Sequence, residues 1–288
     1  MNGCKYFFIL LIGAFVFVAC KKKPSQSLLP GEAVVLSNVA YGTDSSQKMD
    51  VYLPKNRSEA TKTIIYLHGG GWYLGNKEEI REGAIYFQAQ GFAFVSLGYR
   101  LTRTAQNNIH PAQMNDIASA VNMLISQKTT WGISGSKLCC WGGSAGAHLA
   151  MLYGYKYNTD KKIKVIISTA GPTDLTNTTL INNTIGGASI GSMIESYIGE
   201  PFAANPQAWR DASPVFFINS QTVPTMFIHG TVDSAVPYAQ SQAAFQQLQN
   251  AGVASFLEPL PNVGHDLVGT NWADLLPKII TFVNTYAE

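Results

Sequence analysis
The sequence predicts an α/β chain in which a mostly parallel sheet is covered by helices on both faces. Two observations carry this expectation. From about residue 33 to the end, compact apolar β-rich runs alternate with stretches whose apolar residues recur every three or four positions. The composition is that of a folded chain, 46% hydrophobic and 13% charged, without a low-complexity tract or an internal repeat of helical or propeller period. At 288 residues there is room for one α/β domain of ordinary size or two small ones.

Taken in order, "AVVLSNVAYG" and "KMDVYLP" read as two early strands, antiparallel neighbours at a sheet edge. "TKTIIYLHG" and "GFAFVSLGYR" read as strands three and four, and "EEIREGAIYFQAQG" between them as a helix stopped by Gly91. "PAQMNDIASAVNMLISQ" is helical by its apolar spacing, and Pro111 suits a first helical turn. "KLCCWGG" is the fifth strand, "AGAHLAMLYGY" a helix and "KVIISTAG" the sixth strand. "PTMFIHG", "AQSQAAFQQLQNAG" and "ASFLEPL" give strand, helix and strand. "WADLLPKIITFVNTY" closes the chain as a helix in which Pro277 demands a kink or a late start. One segment breaks the rhythm: residues 175–212 are Gly-, Asn- and Ser-rich, with a weak helical patch at "SMIESYIG". An insertion of that size after a strand suits a lid or cap.

The first twenty residues stand apart. Lys5 precedes fourteen uncharged, mostly apolar residues, Tyr6 to Ala19. That run is too short to span a bilayer comfortably and suits the apolar region of a secretory signal, residues 1–19. It ends in "FVAC", which resembles a bacterial lipoprotein signal, although Phe17 stands where leucine is commonest. The resemblance implies cleavage before Cys20 and lipidation of that cysteine. Residues 20–32 would then be a lipidated tether whose lysines rest on anionic headgroups, and residues 33–288 the folded domain. The expected location is the bacterial cell envelope, lipid-anchored and facing the periplasm or the outer membrane.

This segment also explains the charge. The whole chain carries +2, but Lys5, Lys21, Lys22 and Lys23 lie in the first 23 residues, which hold no acid, so the remainder carries −2. The basic balance belongs to export, and no nucleic-acid partner is expected. Cysteine usage adds little: Cys139 and Cys140 are adjacent, a spacing that disulfide geometry disfavours, so they read as packing residues. No cysteine spacing suggests a metal site.

The chemistry centres on "Gly142-Gly143-Ser144-Ala145-Gly146". A serine hydroxyl needs a base beside it to attack and must project from the backbone. The pentapeptide fits the G-x-S-x-G elbow, where serine occupies a strained strand-to-helix turn and the next helix aims its first N–H groups at developing charge. A close-packed corner without catalysis would look similar. "YLHGGGWYLG" supplies a second feature, because consecutive glycines bare their N–H groups at the sheet edge where ligands bind. It runs into Trp72 and Tyr73 and lacks the G-x-G-x-x-G spacing of a dinucleotide site. Downstream, Asp233 and His265 each follow a strand and fall on the same edge as Ser144, in the chain order serine, acid, histidine. Asp174 is a rival acid. Asp266 reads as a surface or supporting group, and Asp116 and Asp211 read as structural. His68, His110, His148 and His229 precede or accompany other elements, leaving His265 as the histidine after the acid.

Together "MDVYLP", "HGGGW", "HPAQMNDIASAVNML", "GGSAGAHLA", "ASPVFFI", "PTMFIHGTVDSAVP" and "GHDL" resemble the α/β-hydrolase superfamily. More specifically, they resemble its HGGGW-type serine carboxylesterases, which include hormone-sensitive-lipase-like enzymes and bacterial acetylxylan and feruloyl esterases. It covers nearly everything from residue 48 onward and implies an eight-stranded, mostly parallel sheet with a cap insertion after the sixth strand. It also implies Ser144 as nucleophile, His265 as base, Asp233 as its orienter, and the N–H groups of Gly70, Gly71 and Ala145 as the oxyanion hole. Trp72 and Tyr73 would contact substrate, and no metal or organic cofactor is implied. The insertion is short on long apolar helices, which favours a soluble or polymer-attached short-chain ester over bulk triglyceride. The resemblance, with export, implies a carbohydrate-linked acetyl or feruloyl ester, with water as co-substrate. Three other readings stay open: an arylformamidase-like amide hydrolase, a serine peptidase of the prolyl oligopeptidase type, and a catalytically silent surface binding module.

Overall fold
Ten strands are set out by the computed structural model, which describes Leu28, residues 30–102 and residues 108–288. The expected signal, Cys20 and most of the tether lie outside the described residues. The main strands are β1 (Val34–Ala40), β2 (Lys48–Leu53), β3 (Thr63–Leu67), β4 (Ala93–Leu97), β5 (Leu138–Gly143) and β6 (Ile163–Thr169). The two-residue strands β7 (Thr184–Ile185) and β8 (Ala188–Ser189) form a small hairpin, and β9 (Thr225–Gly230) and β10 (Ser255–Leu260) complete the set. Eight of these make one sheet in the order β1-β2-β4-β3-β5-β6-β9-β10. The early pair β1–β2 is antiparallel, as the sequence suggests, and β2 meets β4 antiparallel. From β4 to β10 the pairings are parallel.

Burial follows from position. The central strands β3, β4 and β5 are almost wholly buried, as parallel strands covered on both faces must be. Edge strand β10 mixes half-buried positions with exposed ones, Phe256 and Pro259. The helices are α1 (Arg81–Ala89), α2 (Ala112–Ser126), α3 (Lys128–Trp131), α4 (Ala145–Leu152), α5 (Thr178–Asn182), α6 (Ile190–Ile198), α7 (Pro206–Asp211), α8 (Ala239–Asn250) and α9 (Trp272–Tyr286). On one face α1 and α9 cover Ile64, Phe94, Cys139 and Trp141; on the other α2, α4 and α8 cover Ile65, Val95 and Cys140. Cys139 and Cys140 thus alternate to opposite faces and fill both layers as free, buried thiols, the packing role expected of them.

Several boundaries differ from expectation for local reasons. The first predicted helix begins as a 3₁₀ turn, Lys77–Ile80, continued by α1, with a capping box closed by Asn76 and Glu79. Gly91, at φ 89°, ends it as predicted. Pro111 sits at the N-cap of α2, one place before the first turn. The elbow helix is α-helical only to Leu152 and continues as a π-turn over Tyr153–Tyr157. The last helix does not start late: it opens at Trp272 and runs through Pro277. The insertion between β6 and β9 is more ordered than its composition suggested, holding α5, the β7–β8 hairpin, α6 over the "SMIESYIG" patch, and α7. Among the described residues no helix is long and apolar enough to cross a membrane.

Candidate active site
Ser144 stands where β5 ends and α4 begins, at φ 51° and ψ −119°. A non-glycine residue there is strained, and the surrounding packing has to impose it. The flanking glycines show how. A Cβ on Gly142 would lie 2.2 Å from the Gly146 carbonyl carbon, and one on Gly146 would lie 2.1 Å from the Leu67 oxygen. Strand and helix are therefore pressed together at backbone contact, which only hydrogen at both positions permits. The middle position is different: a Cβ on Gly143 would meet only the Tyr66 hydroxyl, at 3.2 Å.

The glycine loop after β3 leans on this corner. A Cβ on Gly69 would lie 3.2 Å from the Gly143 oxygen and 3.5 Å from the Ser144 Cβ. Gly70 and Gly71 take positive φ, 104° and 57°, and the Gly70 carbonyl accepts from the N–H groups of Tyr73 and Leu74. A cavity of about 1180 Å³ opens here, with Gly70, Gly71, Ser144, Ala145 and His265 in its wall. Ala145 is the first residue of α4, so its N–H has no partner within the helix.

Two further loops complete the cluster. Gly230 ends β9 so tightly against the next loop that a Cβ would lie 2.2 Å from the Val263 oxygen. The Val232 N–H donates to that same oxygen at 3.2 Å. The loop carrying Asp233 and the loop carrying His265 are thereby tied together. His265 Nε2 lies 2.9 Å from Ser144 Oγ, and His265 Nδ1 lies 2.7 Å from Asp233 Oδ2. Asp233 Oδ1 accepts from the N–H groups of Ala235 and Val236, both at 2.9 Å. Its side chain is fully buried. Burial alone would raise its pKa, but hydrogen bonds and charge from His229 and His265 outweigh that and hold it lowered to about 2. The carboxylate is an anion at neutral pH, so the proton between it and His265 sits on Nδ1 and leaves Nε2 free to accept from the serine.

The rival acid is placed elsewhere. Asp174 Oδ1 accepts from the Thr176 N–H and hydroxyl, a local turn with no contact to His265. Asp266 borders the cavity and caps the Val268 N–H. Asp116 is buried and takes Arg100 through its Nε and a terminal NH2, while Asp211 accepts from Gln207 near the end of α7. Both are structural, as expected. Tyr73 lines the cavity, half-buried. Trp72 borders it too, but its indole turns inward and is 2% exposed. It stacks on Tyr197 at 4.9 Å and donates to His148 Nδ1 at 3.2 Å. His148 Nε2 in turn donates to the Ala212 carbonyl at 2.7 Å, and burial lowers its pKa to about 3, so it stays neutral. Trp72 thus ties the glycine loop to the elbow helix and the insertion, and presents little surface to a substrate.

Sequence reasoning missed four residues here. Met193 of α6 reaches the glycine loop: a Cβ on Gly71 would lie 2.9 Å from its sulfur. Tyr66 brings its hydroxyl beside the elbow. His148 and His229 lie inside elements already assigned, and only the tertiary contacts reveal what they touch. Among the described residues no group of three or more His, Cys, Asp or Glu side chains is placed to hold a metal ion.

Comparison with known proteins places the family and the fold. The BD-FAE family matches residues 49–248. Kynurenine formamidase of Danio rerio is 28% identical over 259 residues, covering 85% of this chain and 80% of that protein. Esterase LipC of Mycobacterium tuberculosis is 25% identical over 244 residues, 79% of this chain and 58% of the relative. Among solved structures, a truncated carbohydrate esterase from gut microbiota superposes with a TM-score of 0.74 at 22% identity, over 89% of this chain and 98% of the other. Esterase B from Lactobacillus rhamnosis superposes with a TM-score of 0.72 at 19% identity, over 90% and 87%. With the eight-stranded sheet, the elbow and a family match across most of the folded region, the chain belongs to the BD-FAE family and is an α/β-hydrolase of the carboxylesterase group.

Proposed function
We propose that this protein is a serine carboxylesterase that cleaves short-chain or carbohydrate-linked acetyl or feruloyl esters through an acyl-enzyme on Ser144. The observation that carries the reading is the continuous relay from Ser144 through His265 to Asp233, with bonds of 2.9 and 2.7 Å, opening into a cavity beside bare glycine backbone. His265 Nε2 takes the Ser144 proton as Oγ attacks the ester carbonyl carbon. The oxygen gains negative charge and is held by N–H groups of Gly70, Gly71 and Ala145. Collapse of the tetrahedral intermediate breaks the bond to the alcohol, which leaves with the proton returned from His265. Water then attacks the acyl-serine with His265 again as base, and the acid departs.

The cavity has room for an ester with substituents on both its acyl and its alcohol part. Ile185, Ile190 and Met193 from the insertion line it with aliphatic side chains, and Tyr66, Tyr86 of α1 and Trp272 of α9 add aromatic ones. The carbohydrate-esterase neighbour supports a sugar-linked ester, as does the expected export of the chain with lipid attached at Cys20. A second reading, hydrolysis of an aryl formamide, is favoured by the formamidase relatives that align over most of this chain. The same relay would serve it, with His265 protonating an amine in place of an alcohol. Initial rates on acetylated xylan, feruloyl sugars, N-formylated anilines and triglycerides decide between them. Esterase activity that survives unchanged in Ser144→Ala would refute both.

A further inference from the structure
Asp233 serves two histidines. Besides His265, the side chain of His229 places Nε2 3.1 Å from Asp233 Oδ2. The same nitrogen lies 2.9 Å from the Val236 carbonyl oxygen. Both neighbours are acceptors, so His229 Nε2 must carry a proton that is shared between them. On the other side of the ring, His229 Nδ1 lies 2.7 Å from the Ser241 hydroxyl at the start of α8. That hydroxyl can donate, which satisfies a bare Nδ1 and fixes the Nε2–H tautomer. The ring is fully buried, and Tyr238 meets it edge-on with centroids 5.8 Å apart.

We infer that His229 is a positioning residue that orients Asp233 and sets the basicity of His265. The inference rests on the role given above to Asp233 and His265. Four N–H groups converge on the Asp233 carboxylate, and the two on Oδ1 come from the backbone of its own loop. The two on Oδ2 come from side chains and compete for the same oxygen. His229 therefore does two things. It fixes the rotation of the carboxylate so that Oδ2 faces His265. It also draws off part of the negative charge that would otherwise stabilise a protonated His265. The titratable groups facing this pair among the described residues are His265 from the loop after β10 and Tyr238 from the turn before α8. The strand positions beside His229 carry none: Pro259 is its partner in β10, and Ile228 before it pairs with Thr169 of β6.

The sign follows. Removing the His229 donor leaves His265 as the one side-chain donor on Oδ2, so the imidazolium is better stabilised and His265 becomes more basic. The acid limb of kcat/KM for a nitrophenyl ester should move to higher pH by about one unit in His229→Leu. The plateau kcat should fall about tenfold or more as the carboxylate loosens. His229→Gln keeps an N–H donor and should return the limb toward its wild-type position. A purely structural role would lower activity in both variants without moving the limb. An unmoved or downward limb in His229→Leu, with wild-type protein active, overturns the inference. Inactive wild-type protein would instead overturn the esterase reading beneath it. Should the leucine variant fail to fold, ¹⁵N-histidine NMR of the wild-type protein tests the same point. His229 should show a protonated Nε2 and a bare Nδ1, and a bare Nε2 overturns the inference.

Discussion

Replacing Asp233 by Asn changes one atom of the relay, and the outcome follows from how four donors meet two oxygens. If the amide nitrogen takes the Oδ1 place, it confronts the N–H groups of Ala235 and Val236, which cannot move without breaking the turn. If it takes the Oδ2 place, it confronts His265 Nδ1 and His229 Nε2. The second orientation costs less, because His229 keeps the Val236 oxygen and His265 can shift its proton to Nε2. That shift restores a hydrogen bond from the amide to Nδ1 but points an N–H at Ser144, where a lone pair is required. Activity should therefore collapse while the fold survives. The loss of kcat should be about 10⁴-fold, equivalent to about 5 kcal/mol of transition-state stabilisation.

Stability should fall less. The carboxyl is lowered from 3.8 to about 2, so it contributes about 2 kcal/mol above pH 3.8, a contribution lost as pH falls toward 2. The assay is initial-rate hydrolysis of a nitrophenyl ester at neutral pH, with circular dichroism melts run alongside. Asp174→Asn is the matched control, since Asp174 holds only the Thr176 turn. An Asp233→Asn enzyme within tenfold of wild type, or a collapse in Asp174→Asn, would refute the reasoning.

Other outcomes can be checked with less work. Ser144→Ala should lose several decades of esterase activity with an unchanged melting temperature, read by the same pair of assays. Gly146→Ala should fail to fold or melt far lower, because its methyl meets the Leu67 carbonyl at 2.1 Å and backbone cannot yield as a side chain can. Burial lowers His148 to about 3 and His110 to about 4. The unfolded chain takes up those protons below about 6.5, so stability should be full above that value and fall steadily toward pH 4. Thermal melts that are flat from pH 6.5 to 4 would contradict this. Burial pushes the Cys140 thiol up to about 12, so Cys139 and Cys140 should resist iodoacetamide in native protein and react after denaturation, as counted by mass spectrometry.

The eight main strands were legible because each is a short apolar run bounded by a turn or a helix, and parallel central strands leave no other place for such runs. The elbow was legible for a different reason. Gly142 and Gly146 are needed by backbone contact, and Ser144 by its projection from the turn, so the motif is local in sequence. Asp233 and His265 stand out because both follow strands that end on the same sheet edge, but Asp174 follows such a strand too, and only the contact of His265 with Asp233 separates the two acids. The rest depended on contacts that no periodicity records. Trp72 looked like a substrate contact because it follows the glycines, yet the fold turns its indole toward His148 and Tyr197. His229 read as the end of a buried strand, and only the packing of α8 against it supplied Ser241 as a donor. The insertion looked loosely structured because Gly, Asn and Ser dominate it. Its order comes from caps such as Asn177, Ser189 and Asn205, whose side chains accept N–H groups at the starts of α5, α6 and α7.

The contact between Met193 and Gly71 carries a consequence for how such a chain can diversify. The insertion that shapes the substrate wall also presses its methionine on the loop proposed to steady the oxyanion, while Ala212 at its far end holds His148 and, through it, Trp72. Under the proposed function, specificity and rate are therefore joined through one segment. An insertion exchanged from a relative would not simply carry a new preference onto an indifferent scaffold. It would arrive with its own pressure on the glycine loop, and only insertions that reproduce both supports would keep the rate while changing the substrate.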